Sequence, residues 1–168
     1  MNKPGIYSRF IAAGISVGAA VAGVLLIIPH EGEVLGTYLD PVGIITSCHG
    51  HTGPDLKLGQ VFTREECLDQ LAEDLEEHDA QMMKHIKVPI TEYQHAALLS
   101  FCYNVGVGAC SRSTLFSKLN DRDYRGACNE LSRWVYAQGK RLNGLVRRRA
   151  AEMAMCLGHI PPSVEIAQ

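Results

Sequence analysis

The sequence predicts an α+β fold in which a small β lobe precedes a larger helical lobe, the whole following an apolar N-terminal segment. Three observations carry this. Glycine and turn residues cluster from Gly32 to Gly59 around the β-branched Val42, Ile44, Ile45 and Thr46, the pattern of a small hairpin or meander. From Thr63 onward, capping motifs and apolar residues at helical spacing recur as far as Leu157. Ahead of both, nineteen uncharged residues run from Phe10 to Ile28. The chain is thus divided into a segment 1–29, a domain 30–157 and a tail 158–168 that carries Pro161-Pro162. A length of 168 residues leaves room for one domain with its own core and a short appendage.

Lys3 and Arg9 precede the apolar run, and no further charge follows until Glu31. The run approaches the roughly 20 residues needed to cross a bilayer core. Its positive flank argues for an N-terminus held in the cytoplasm and an exported remainder. The composition is weak for a span, since nine of its nineteen residues are Gly, Ala or Ser and only Val24–Ile28 is strongly apolar. Three readings compete. A cleaved signal peptide finds small residues for its cut around Ala20–Gly23, but leaves the most apolar run at the new terminus. A stable anchor finds a Gly14-x-x-x-Gly18 pattern, which any Gly/Ala-rich stretch contains. A marginal anchor, held in the membrane yet able to leave it, is the reading the composition favours.

The helical lobe follows in order. Thr63-Arg64-Glu65-Glu66 is a capping box opening a helix that Leu68, Leu71, Leu75 and Met82 continue, with Pro89 marking its end. Thr91 with Gln94 opens a second helix through Phe101 toward the Gly106/Gly108 turn. Shorter helices are expected over Ser113–Leu119 and Tyr124–Tyr136. A last helix, Leu145 to Cys156, puts Val146, Met153 and Leu157 on one side with arginines around them.

Charge is segregated. Nine acidic and two basic residues lie between Gly53 and Ala80, against ten basic and three acidic between Cys110 and Ala150. Solvated helix faces explain this as well as a basic surface for nucleic acid, acidic lipid or cell wall does, and charge alone does not choose. The six cysteines, Cys48, Cys67, Cys102, Cys110, Cys128 and Cys156, all follow the apolar segment, which fits disulfides in an oxidising compartment. No CxxC pair is present, which argues against a zinc ribbon or a thioredoxin-like motif. Spacing does not fix connectivity, because six cysteines allow fifteen pairings.

Three residues have the makings of glycosidase chemistry, which commonly sets two carboxylates across a scissile bond, one protonated and one ionised. Glu31 lies at a polar–apolar boundary, where desolvation raises a carboxyl pKa. Asp40 is expected to be exposed and ionised on the loop before Pro41, and Thr46, in a strand-like stretch, is placed to hold a water beside it. Spacing alone equally fits two surface acids and a strand threonine. The surrounding residues shift that balance. His30-Glu31-Gly32, Tyr38-Leu39-Asp40-Pro41-Val42-Gly43, Thr46 and Gly50-His51-Thr52 resemble the phage-type lysozymes of glycoside hydrolase family 24. That family spaces a Glu, eight residues, an Asp or Cys, five residues and a Thr, as Glu31, Asp40 and Thr46 are spaced. Phe101-x-Tyr103-Asn104-Val105-Gly106 with Gly108, Ser113-Thr114-Leu115, Leu119-Asn120, Trp134 with Gly139, and Gly144-Leu145-Val146-x-Arg148-Arg149 with Glu152 extend the resemblance to Leu157.

The resemblance implies a lysozyme-like fold and a muramidase that cuts the β-1,4 bond between N-acetylmuramic acid and N-acetylglucosamine with inversion. Glu31 is then the general acid, and Asp40 and Thr46 place the attacking water. The partners implied are peptidoglycan glycan strands, whose anionic peptide stems suit the basic C-terminal half. No cofactor, metal or nucleic acid is implied. Cys48-His49 departs from the residues of many soluble relatives, and with His51 raises a thiol nucleophile or a metal site as alternatives. The Glu31/Asp40/Thr46 set already accounts for the chemistry, so a structural role is favoured. Disulfides Cys48–Cys67, Cys102–Cys110 and Cys128–Cys156 are expected, each joining segments that the helix reading brings close.

An apolar leader on this family resembles the signal-arrest-release (SAR) endolysins of phages. The resemblance implies an enzyme held inactive by inner-membrane lipid, with its domain in the periplasm, then freed there as a soluble monomer. Residues 1–30 contain no cysteine, which closes activation by thiol exchange from the anchor and leaves refolding of the released segment onto the domain. A lytic transglycosylase, or a tethered peptidoglycan-binding module with a dead site, are the alternatives.

Overall fold

The structure, a computed structural model, describes Ala20 and residues 26–30, 34–40 and 43–159. Most of the apolar segment, together with Glu31, Pro41 and the tail from Ile160, lies outside the described residues.

The β lobe is a three-stranded antiparallel sheet in the order β1 (Val34–Leu39), β2 (Ile45–Cys48), β3 (His51–Thr52). Tyr38 pairs with Thr46 and Leu39 with Ile45, while Thr46 pairs with Thr52 on its other side. Gly43, at φ 83°, takes the left-handed conformation in the β1–β2 turn that a side chain would resist. The outer edge of β1 is covered by the returning chain, with Thr37 N donating to the Gln60 carbonyl at 3.0 Å and Phe62 N to that of Leu35 at 3.0 Å. A covered edge leaves no ladder open to another chain on that side.

The helical lobe begins with α1 (Arg64–Met83), capped by Thr63 and Glu66. Its buried face is Cys67, Leu71, Ala72, Leu75, Asp79 and Met82. It stops six residues before Pro89, because the carboxamide of Asn120 takes over the following backbone: Lys87 N donates to it at 2.8 Å and it donates to the His85 carbonyl at 3.0 Å. α2 (Glu92–Val105) opens on the Thr91/Gln94 capping box and buries a nearly continuous run from Ala96 to Cys102, as a central helix must. Short helices α3 (Val107–Ser111), α4 (Thr114–Asn120) and α5 (Tyr124–Glu130) wrap around it.

Two expectations are corrected here. The helix expected over Tyr124–Tyr136 ends at Glu130 and gives way to a 3₁₀ turn, Leu131–Arg133, and a hairpin of β4 (Tyr136–Ala137) and β5 (Lys140–Arg141). Gln138 and Gly139 both have positive φ, 49° and 74°, the two-residue turn that matches strand twist. The final helix, α6 (Asn143–Cys156), buries Arg148, Arg149, Glu152, Met155 and Cys156, whereas Leu157 is exposed and Val146 and Met153 are half-buried. A charged face can turn inward because Glu152 meets Arg148 at 3.1 Å and Arg149 at 2.8 Å within it.

Three disulfides are present: Cys48–Cys67 ties the β lobe to the helical lobe through β2 and α1, and within the helical lobe Cys102–Cys110 ties α2 to α3 and Cys128–Cys156 ties α5 to α6. Residues 26–30 are helical, and Leu26 and Ile27 are 3% and 0% exposed inside the main core with Leu71, Leu98, Phe101 and Met155. Ala20 belongs to the same core. Among the described residues, no helix is long and apolar enough to cross a membrane.

Candidate active site

Asp40 closes β1 and organises the turn after it. Its backbone N donates to the Ile44 carbonyl at 2.9 Å, its side-chain Oδ1 accepts from Ile44 N at 2.8 Å, and its carbonyl accepts from Gly43 N at 2.9 Å. The carboxylate is half-buried and braced, not carried on an open loop. Thr46 is 4% exposed in β2, its Oγ1 donating to the Ile44 carbonyl at 3.2 Å. Since Tyr38 faces Thr46 and Asp40 lies two residues beyond Tyr38, Asp40 and Thr46 share one face of the hairpin as diagonal neighbours. Such neighbours stand roughly 7–8 Å apart. Glu31 is outside the described residues, and His30 ends the helical turn before it.

The sheet is fixed against the helices by polar contacts. Ser47 Oγ donates to Gln70 Oε1 of α1 at 3.0 Å, and the Tyr103 hydroxyl of α2 donates to the His49 carbonyl at 3.0 Å. His51 of β3 meets the Asp74 carboxylate of α1 at 2.8 Å and Asp55 at 3.3 Å. Burial works against the charged imidazole, but hydrogen bonding and attraction to Asp74, seconded by Asp55, hold the His51 pKa above its ordinary value. The β lobe is therefore joined to α1 by one disulfide and two polar links, and to α2 by a third polar link.

One cavity opens between the lobes and a second between the N-terminal turn, α2 and α6. One, of 460 Å³, is lined by Gly50, Thr52, Asp74, Glu77, His78, Gln81, Tyr103 and Asn104. The other, of 450 Å³, is lined by Pro29, His30, Asn104, Leu142, Gly144, Leu145, Arg147 and Arg148. Thr52 brings the first alongside the strand partner of Thr46, and His30 brings the second alongside the residue preceding Glu31. Asn104 lines both. The walls change from acidic at Asp74 and Glu77 to basic at Arg147.

Cys48 is bonded to Cys67, so no thiol is available there as a nucleophile. Among the described residues no group of three or more His, Cys, Asp or Glu is arranged to hold a metal. Behind the cleft, Arg148 donates to Glu152 and to the Ser100 carbonyl at 3.2 Å, and Ser100 Oγ donates to Glu152 at 2.7 Å. In the sequence Arg148, Arg149 and Glu152 stand as a motif, with nothing in their residue types to mark their burial. The available signal was spacing, since Glu152 lies three and four residues beyond the two arginines.

The phage lysozyme family matches residues 29–152 of the chain. Over 155 residues the chain is 44% identical to the SAR-endolysin of Enterobacteria phage PA-2, covering 89% of this chain and 94% of that relative. Among solved structures, the muramidase domain of SpmX from Asticaccaulis excentricus matches at a TM-score of 0.75 and 30% identity, over 81% of this chain and 95% of that one. The active form of the endolysin Lyz of phage P1 shares the fold, with a TM-score of 0.75 at 21% identity over 92% and 94% of the two chains. With a matching stretch that spans both lobes and the cleft between them, the chain belongs to the phage lysozyme family.

Proposed function

We propose that this chain is a phage endolysin with lysozyme activity that is held at the inner membrane and released to digest peptidoglycan. Family membership and the 44% identity to a SAR-endolysin support the endolysin reading, and the muramidase neighbour supports a glycosidase acting on the cell wall. In the finer reading the enzyme hydrolyses the β-1,4 bond between N-acetylmuramic acid and N-acetylglucosamine with inversion. Glu31 protonates the leaving oxygen, while Asp40 and Thr46 hold the water that attacks from the opposite side. Inversion needs the two carboxyl groups about 6.5–9.5 Å apart, leaving room for that water. The shared face of Asp40 and Thr46 favours this role, since a braced carboxylate and a neighbouring hydroxyl can grip one water molecule between them.

The observation that carries the release reading is the burial of Leu26 and Ile27. These residues end the apolar run that has the length of a membrane span, yet here they sit in the core. A side chain cannot line a bilayer and fill the core at once, so the two locations define two states. Burying each side chain gains roughly 1.5–3 kcal/mol relative to water, a comparable reward to that offered by lipid. The segment 1–29 is read as the part that moves, 30–157 as the enzyme and 158–168 as a tail. In the held state the domain faces the periplasm, and after release it is a soluble monomer.

Fractionation of expressed protein before and after collapse of the membrane potential, with an activity assay on each fraction, tests the proposal. Activity is expected in the soluble fraction only after depolarisation. A soluble, fully active enzyme in polarised cells would refute release. Glu31→Gln should abolish cleavage without unfolding, and products should carry reducing ends; anhydromuramic ends would mean a transglycosylase instead.

A further inference from the structure

Asn104 stands in the last turn of α2, half-buried, at the junction of the two cavities. Its side-chain oxygen accepts a hydrogen bond from Nη2 of Arg149. That guanidinium is itself fixed. It is 1% exposed, lies over the Phe101 ring with 5.0 Å to the centroid, and pairs with Glu152 at 2.8 Å. A carboxamide has an acceptor end and a donor end. With the acceptor end held by Arg149, the donor end turns away from it, and among the described residues the Asn104 amino group has no hydrogen-bond acceptor.

Buried ion pairs are poor stabilisers, because apolar residues of similar shape commonly do as well or better. The Arg149–Glu152 pair therefore has a use beyond cohesion if it sets the orientation of a side chain on the cleft. Tyr103, the neighbour of Asn104, adds an aromatic ring to the same cavity wall. An amide donor beside an aromatic surface suits an acetamido group, whose carbonyl oxygen accepts the hydrogen bond while its methyl rests on the ring.

We propose that Asn104 is a substrate-binding residue whose amino group donates to the acetamido carbonyl of a sugar in the cleft, with Arg149 and Glu152 as the positioning residues behind it. The inference rests on the muramidase reading above. Its test compares Asn104→Asp, Asn104→Ala and Asn104→Gln in the full chain, by steady-state release of reducing ends from solubilised peptidoglycan and by thermal unfolding. Aspartate keeps an acceptor for Arg149 but loses the donor. Asn104→Asp should melt close to the parent while kcat/KM falls roughly tenfold or more. The loss should sit in KM, because the contact is made in ground and transition states alike. Asn104→Gln, which keeps a donor, should recover part of it. Parental kcat and KM in Asn104→Asp overturn the inference, as does a loss of activity that only tracks a loss of melting temperature across all three variants. Failure of the parent itself to release reducing ends would overturn the muramidase reading instead.

Discussion

Replacing Ile27 by alanine separates a core residue from a mere remnant of a leader. The side chain is 0% exposed and packs in the main cluster of the helical lobe. Truncating a buried isoleucine loses its transfer free energy and leaves a cavity, together about 2–5 kcal/mol. A middle value of about 3 kcal/mol, at roughly 3–5 °C per kcal/mol for a domain of this size, lowers the melting temperature by roughly 10–15 °C. The assay is thermal and urea unfolding of the soluble full-length protein. Val61, 82% exposed on the β lobe, supplies the control, since Val61→Ala should stay within about 0.5 kcal/mol of the parent. An Ile27→Ala protein that loses no more than Val61→Ala would show that the end of the apolar run is not part of the core, and the two-state account of residues 26–30 would fall with it.

Three further outcomes are expected. Glu152→Ala leaves Arg148 and Arg149 buried without their carboxylate and should cost about 3–5 kcal/mol in urea unfolding, whereas Arg133→Ala, at a surface pair with Glu130, should cost under about 1 kcal/mol. His51→Asn should destabilise by about 1.5–3 kcal/mol below the unfolded histidine pKa of about 6.5, with the deficit shrinking as pH rises through the elevated folded pKa. A deficit that does not change between acidic and alkaline urea melts would remove the His51–Asp74 charge pair from the account. The double substitution Cys48→Ser with Cys67→Ser opens a loop of 19 residues and should lower stability by about 3 kcal/mol in urea unfolding without reductant.

Local chemistry made much of the fold legible. Both capping boxes, Thr63/Glu66 and Thr91/Gln94, mark helix starts because the donors they satisfy lie within three residues. The β-branched run at Ile44–Thr46 likewise announces β2. What stayed hidden depends on distant partners. The end of α1 is set by Asn120, far along the chain, and the inward face of α6 is set by Ser100 and by compensation among its own charges. An apolar-face count sends Arg148 and Arg149 outward, because it prices each residue separately. The β4–β5 hairpin was missed because its strands are two residues each and exposed, leaving no hydrophobic alternation to read. At the candidate site, the family resemblance points to Asp40 and Thr46, but not to the bracing of Asp40 by its own turn. Asn104 carried a motif position without a reason, since its orientation comes from Arg149, which lies 45 residues away in sequence.

The helical turn over residues 26–30 has one more consequence. Ile27 is embedded in the core, and His30 opens on the cavity three residues later, about 4.5 Å along the helix axis. The N-terminal chain and the mouth of the cleft are therefore mechanically in series. Drawing Leu26 and Ile27 out of the core moves the same helical turn that carries His30 on the cavity wall, so the core contact and that wall are lost together.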